Sequence, residues 1–282
     1  MTDNATRPAG DITHQSRTNF LYSFLILPRR QRRAIETVYA FCRVVDDIVD
    51  DADATHDPRQ ELNRWRGEVA ACFNGHAPHS SLGRELKDVL QTFPIPQEHF
   101  LTLIRGMEMD LERRRYATFG ELEEYCHHVA GVIGLMCIEI FGYRHAGAHD
   151  YAVNLGKALQ MVNIIRDLQE DAERGRIYLP QDDLAHFKYS EADLHNRTYN
   201  ENFVALMRRQ AKRAREFRRR AKAALHPQDR KRMAAAEIMA RIYFALLDRI
   251  EKRKFNVFAH RPKLTKAEKA LLAARAWLQV KL

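Results

Sequence analysis

Residues 43–53 read RVVDDIVDDAD, and residues 163–180 read NIIRDLQEDAERGRIYLP. Helix side chains four residues apart share a face, so Asp46 stands beside Asp50 and Asp47 beside Asp51 in the first stretch. In the second, Asp167 stands beside Asp171, with Asn163 one turn earlier. Like charges at this spacing repel by roughly a few tenths of a kcal/mol, and carboxylates near a helix C-terminus also oppose the macrodipole. Folding alone does not favour such clusters, whereas a bound cation reverses both penalties. Val44, Val45, Ile48 and Val49 surround the first cluster, and Met161, Val162, Ile164, Ile165 and Leu168 the second. Carboxylates set in apolar helix are expected to line a cavity. A lone pair of this kind is usually a solvated acidic face, but two pairs flanked by Arg43 and Arg166 read differently. A guanidinium fork suits phosphate oxygens, and magnesium binds through one or two carboxylates plus substrate phosphates. Diphosphate with magnesium fits both sets of groups. An EF-hand does not, because the glycine and glutamate of its loop are missing.

The rest of the chain carries helical periodicity, with no alternating run bounded by turn signals. Helices are expected at about 28–51, 59–74, 82–92, 97–113, 119–142, 149–173, 199–225, 229–257 and 265–280. Pro28, Pro58, Pro94, Pro96, Pro180, Pro227 and Pro262 fall where the periodicity breaks, as residues tolerated at helix starts and turns should. Thr118 and Glu121 have capping-box spacing and predict a helix start. No Gly-, Ser- or Pro-rich linker divides the chain and no repeat recurs, so the expectation is an all-α protein with residues 1–15 a disordered tail and 16–282 one domain. Between the clusters, residues 125–143 read YCHHVAGVIGLMCIEIFGY. Gly131, Gly134 and Gly142 weaken an apolar helix by roughly 1 kcal/mol each. They predict either close helix packing or room for a long hydrocarbon chain.

Of the 282 residues 45% are hydrophobic and 29% charged, as in a folded globular protein. Cys42, Cys72, Cys126 and Cys137 lack CxxC spacing and read as buried free thiols in a reducing compartment. The first nineteen residues show no secretory apolar region. The apolar stretch from Val129 to Ile138 is short of the roughly 20 residues that cross a bilayer. A cytoplasmic location is therefore expected. The net charge of +9 is compatible with nucleic acid or anionic lipid alike. Its densest part, residues 208–232, stacks Arg208, Lys212, Arg215 and Arg219 in one stripe. A solvated face comes first there, peripheral contact with the anionic inner membrane surface second, and nucleic acid is not expected, since no binding motif accompanies the charge. His127 and His128 lack metal-ligand spacing, and no GxSxG, Walker A or GxGxxG occurs.

These motifs resemble the squalene and phytoene synthases, the head-to-head prenyl synthases of the isoprenoid-synthase helical fold. The resemblance runs from NFLYSFLILP (19–28) through YAFCRVVDDIVDD (39–51), GMEMDLERRRY (106–116) and EYCHHVAGVIGLM (124–136) to LGKALQMVNIIRDLQEDAERGRIYLP (155–180). It implies a helical bundle around an apolar cavity, with magnesium at Asp46, Asp50, Asn163, Asp167 and Asp171. Arg43, Gln160, Arg166 and Arg261 would bind substrate, although HRPKL (260–264) departs from the family's usual basic run there. Tyr39, Tyr125, Tyr178 and Tyr243 would line the reaction cavity. The implied reaction ionises one farnesyl diphosphate on about three magnesium ions, alkylates a second with the cation, and closes a cyclopropane to presqualene diphosphate. Some members continue to squalene with NADPH. The texture is most like the bacterial hopanoid-associated enzymes, whose product would pass to downstream isoprenoid enzymes. The alternatives are a phytoene synthase using geranylgeranyl diphosphate and a noncatalytic assembly or chaperone relative.

Overall fold

The computed structural model describes residues 23–50 and 57–281, the side chains of 277–281 excepted. The tail expected at 1–15, and Asp51 and Asp53, lie outside the described residues. Twelve α-helices follow one another among the described residues: α1 Arg29–Asp50, α2 Pro58–Phe73, α3 Ser81–Leu90, α4 Gln97–Glu112, α5 Phe119–Cys126, α6 Val132–Phe141, α7 Gly147–Glu173, α8 Gln181–His186, α9 Glu191–His195, α10 Glu201–Ala224, α11 Ala234–Lys252 and α12 Lys266–Lys281. No strand occurs among them; Arg115 and Ile177 form an isolated bridge. The all-α expectation holds.

Local chemistry sets the ends. Pro58 opens α2 behind Asp57, whose carboxylate accepts from Arg59 N, satisfying a backbone donor that has no partner inside the helix. Thr118 caps α5, accepting from Glu121 N at 3.4 Å, while Glu121 reaches back to Ala117 N at 2.9 Å, one residue earlier than a capping box requires. The helix expected over 229–257 is shorter. A 3-10 turn at Pro227–Asp229 precedes it, and Lys254 and Phe255 end it with φ of 51° and 62°. The short α8 and α9 escaped the periodicity because each is under two turns.

α5 and α6 are one rod, joined by a π-helical turn over His127–Gly131. Its 23 residues, Phe119–Phe141, are long and apolar enough to cross a membrane by length and composition, more than the stretch from Val129 to Ile138 suggests. Half of the most apolar window is buried inside the protein. Of the rod's three glycines, Gly134 resolves toward close packing. A Cβ on Gly134 would sit 2.4 Å from Ala152 O, and one on Gly156 of α7 would sit 2.3 Å from Ala130 O, so the α5–α6 rod and α7 touch backbone to backbone. Gly142, at φ +74°, ends the rod.

One large apolar core runs through the bundle. Phe41 of α1 meets Trp65 of α2 at 5.6 Å and Phe100 of α4 at 5.3 Å, both edge-on, and each such burial contributes roughly 1.5–3 kcal/mol. α7 packs along α10 and against the α5–α6 rod. This leaves its other stripe facing α1 and α11 across a cavity. The four cysteines are free thiols, with Cys42, Cys72 and Cys126 buried and Cys137 half-buried on the cavity wall.

Candidate active site

A cavity of about 310 Å³ opens between α1, α4, the α5–α6 rod, α7 and α11. Burial of one stripe of each helix dictates which side chains reach it. α1 contributes Tyr39, Arg43 and Asp46; α7 contributes Gln160, Asn163 and Arg166; Tyr125 and Tyr243 come from α5 and α11. Asp50, Asp167, Asp171, Tyr178 and Arg261 are outside its lining and gather at its mouth through the contacts below.

Among the described residues, every aspartate of the mouth except Asp171 meets an arginine or a tyrosine. Arg43 reaches Asp46 at 3.1 Å and Asp47 at 2.5 Å. Asp50 takes Arg174 and Arg176, both at 2.6 Å. Asp167 is held by its neighbour Arg166 and, from 94 residues away, by Arg261 at 2.7 Å. Arg261 also pairs with Glu170 at 3.0 Å. The less secure arginine of the resemblance thus lies against the second cluster.

The protonation pattern follows from these contacts. Burial and the charge of Asp50 push Asp46 up to about 7, against the pull of Arg43. Burial and Asp167 push Asp171 up to about 8, with Asp110 and Asp50 adding to the repulsion. Burial would raise Asp50 as well, but Arg176 and Arg174 outweigh it and hold its carboxyl below the usual range. Asp50 is felt by both Asp46 and Asp171, so the clusters of α1 and α7 share one electrostatic site.

Sequence reading missed three members of this site. Asp110, on α4, is 7% exposed and accepts from the hydroxyls of Tyr125 and Tyr178, each at 2.8 Å. Burial lifts its carboxyl to about 6 against the opposing pull of Arg176 and the two hydroxyls. The rings of Tyr125 and Tyr178 stack at 5.1 Å, and burial, then Asp110, keeps both hydroxyls well above the ordinary tyrosine range. The available signal was an acid on the core stripe of α4 that also carries Phe100, Leu103, Ile104 and Met107. Arg174 and Arg176 follow α7 directly. Gly175, at φ +77°, turns the chain so that Arg176 N bonds Asp171 O at 2.8 Å and its guanidinium reaches α1. Lys269 of α12 is lowered by burial and then by the nearby charge of Arg166, so a further cation borders this mouth.

Among the described residues no three His, Cys, Asp or Glu side chains form a ready metal cage. Magnesium needs none, since phosphate oxygens and water complete its octahedron. Asn163 Oδ1 is buried without a hydrogen-bond partner, while its amide donates to Gln160 Oε1 at 3.2 Å. An orphaned acceptor among mutually repelling carboxylates is a donor set that a hard cation satisfies. The residues present fit magnesium.

The structure sets a mouth of carboxylates and arginines over an apolar cavity in an all-α bundle, an arrangement suited to a ligand with an anionic head and an apolar tail. The squalene/phytoene synthase family profile matches residues 13–268, and the chain belongs to that family of head-to-head prenyl synthases. It is 39% identical over 266 residues to the phytoene synthase of Arthrospira platensis, across 89% of this chain and 85% of that protein. It is 35% identical to the 15-cis-phytoene synthase of Synechocystis, across 95% and 83%. Among solved structures, a dehydrosqualene synthase superposes with a TM-score of 0.87 at 28% identity, covering 97% of this chain and 95% of that one. Squalene synthase HpnC of Alicyclobacillus acidocaldarius gives 0.79 at 27%, covering 88% and 93%. The expectation of a farnesyl-diphosphate-using presqualene or squalene synthase is overturned by these sequence relatives, which are named phytoene synthases over most of the chain. Its motifs misled because aspartates and arginines at that spacing speak to a head group that the family's branches share, whereas the branches differ in chain length and product fate.

Proposed function

We propose that the protein condenses two molecules of geranylgeranyl diphosphate head to head to phytoene. The observation that carries this reading is the 39% identity to a phytoene synthase across 89% of the chain. The cavity supports it: charge gathers at the mouth, and the walls below are apolar.

In this reading Asp46 and Asp50 on α1, and Asn163, Asp167 and Asp171 on α7, hold magnesium, which supplies Lewis acidity to the leaving diphosphate. Arg43, Arg166 and Arg261, now paired with carboxylates, exchange those partners for diphosphate oxygens. The C1–O bond of one substrate breaks, its allylic cation adds to the double bond of the second, and a proton leaves to close a cyclopropane. Loss of the second diphosphate, rearrangement and a second proton loss give phytoene, two diphosphates and two protons. No hydride donor is needed. Tyr125 and Tyr178 keep their protons and meet the cations as neutral rings and dipoles, with Asp110 positioning both. Tyr39 and Tyr243 wall the same space, Gln160 orients Asn163, and the apolar helices exclude water.

Incubating the purified protein with magnesium and either geranylgeranyl or farnesyl diphosphate, then identifying products by mass spectrometry, tests this. Phytoene from the longer substrate is the expected result; conversion of farnesyl diphosphate alone would overturn it. An apolar product also favours peripheral contact with anionic lipid. Arg215 and Arg219 of the basic stripe are paired with Asp248, Glu251 and Glu216, leaving Arg208 and Lys212 exposed on it. Salt-sensitive co-sedimentation with anionic vesicles checks that contact.

A further inference from the structure

The stripe of α7 that faces the cavity runs from Asn163 through Gln160, Gly156 and Leu155 back to Tyr151. Twelve residues at 1.5 Å each put Tyr151 about 18 Å below Asn163. The other walls agree on which end is deep. Ile138 and Phe141 close the α5–α6 rod there, opposite Tyr125 at the mouth, and Ala235 and Ala236 start α11 there, opposite Tyr243.

Tyr151 is fully buried and tethered. Its hydroxyl donates to Glu237 Oε1 at 2.9 Å, and Arg218 of α10 donates to the same oxygen at 2.9 Å and to Oε2 as well. Burial would lift Glu237, yet Arg218 holds it below the usual carboxylate range. Three helices thus meet in a buried tyrosine–glutamate–arginine chain directly behind the cavity floor. A buried ion pair adds little net stability, because desolvation offsets the attraction. It does fix position, since a broken member leaves a buried charge unpaired.

We infer that Tyr151, held by Glu237 and Arg218, is the stop that sets the prenyl chain length this cavity accepts. This rests on the reading that the cavity holds prenyl chains. The tether keeps the hydroxyl out of the apolar space and stands the ring across the path of the chain's far end. Ala235 and Ala236 beside it leave room for that end. The phenol that alanine lacks is bulkier than one isoprene unit, so its removal deepens the floor by at least that step. A methylene-sized change in an apolar pocket shifts discrimination by about tenfold or more.

The test compares wild type, Tyr151→Ala, Tyr151→Phe and Ala236→Leu for kcat/KM with farnesyl, geranylgeranyl and geranylfarnesyl diphosphates. The expected result is that Tyr151→Ala raises the ratio for the next longer chain over the wild-type preferred chain by about tenfold. Ala236→Leu, which fills the same floor, moves preference to the next shorter chain, and Tyr151→Phe, untethered, gives a smaller shift toward longer ones. Should Tyr151→Ala fail to fold, the opposed shifts of Tyr151→Phe and Ala236→Leu decide. Variants that fold and release diphosphate while keeping the wild-type ratios within about twofold overturn the proposal. If wild type uses farnesyl diphosphate instead, the phytoene reading fails, and the stop is judged by the same shifts from that length.

Discussion

On α1 the carboxylate nearer the helix end, Asp50, is gripped by two arginines, whereas on α7 it is the earlier one, Asp167, that Arg166 and Arg261 hold. The remaining partners, Asp46 and Asp171, are the ones burial and repulsion push up to about 7 and 8. Two sequence motifs with the same spacing therefore carry different charge balances. The difference comes from arginines remote in the chain, above all Arg176, which pairs with Asp50 and opposes the upward shift of Asp171. Each cluster has one carboxylate gripped by two arginines and one that readily holds a proton. In the proposed reading, a cation and a diphosphate would relieve the repulsion that remains within each cluster.

The sharpest way to break the comparison is to neutralise one aspartate of each cluster. Asp46→Asn and Asp167→Asn should each lower diphosphate release by about a hundredfold or more, because each weakens the clamp on the leaving group. Helical content by circular dichroism should be unchanged, since less like charge remains to repel. If either variant turns over near the wild-type rate at saturating magnesium, the clusters are not equivalent and that aspartate loses its assigned role.

Removing the arginines separates the clusters at lower cost. Arg176→Gln should reduce kcat/KM by about tenfold, the scale of a charged hydrogen bond, because Arg176 touches one cluster and biases the other. Arg261→Gln, with its side chain 41% exposed, should cost less, about threefold. Equal losses in steady-state assays would mean that Arg176 serves Asp50 alone.

The same asymmetry explains what the sequence made legible. All nine long helices were readable, because amphipathic periodicity and proline punctuation are local. The two carboxylate clusters, with Asn163 beside the second, stood out because like charges in apolar helix demand a partner, while the resemblance singled out Asp46 and Asp50 in the first and Asp167 and Asp171 in the second. Asp110 stayed hidden because its meaning depends on Tyr125 and Tyr178, which only the packing of α4 against the rod and the segment after α7 brings to it. Arg174 and Arg176 stood inside a quoted motif, but nothing local says that Gly175 swings them onto α1. The glycines of the rod were legible as a defect, while the cause at Gly134, the backbone of α7 at 2.4 Å, is tertiary. The branch of the family was the least readable feature, because the floor of a cavity is assembled from single residues of several helices.

Titration offers a gentler probe of the proton-holding members. A carboxyl raised in the fold above its unfolded value of about 4 binds its proton more tightly when folded, so its contribution is complete below that value and is lost as pH rises through the folded pKa. For Asp171 the window runs from about 4 up to about 8. Asp46 points the same way, but 43% of its side chain still meets cavity water, which screens it. The melting temperature of the ligand-free protein should therefore fall between pH 5 and 8.5 by more in wild type than in Asp171→Asn, as read by differential scanning fluorimetry at about 0.1 M salt. Parallel curves would remove Asp171 from the proton-holding role and leave the clusters alike.

The smallest expected effect concerns what relieves the remaining repulsion. Magnesium alone meets carboxylates that, Asp171 apart, arginines already occupy, so it should raise the melting temperature only slightly. Magnesium with inorganic diphosphate gives those arginines a new partner and supplies the phosphate oxygens that complete the metal's shell. At about a hundredfold excess over Kd, linkage adds close to 2.7 kcal/mol, a shift of about 5 °C or more. The increment should shrink in Arg43→Gln and Arg261→Gln alike, one on each side of the mouth, because both clusters yield an arginine to the diphosphate. If the shift survives one substitution and vanishes with the other, diphosphate sits on one cluster only, and the shared field of α1 and α7 does not extend to ligand binding.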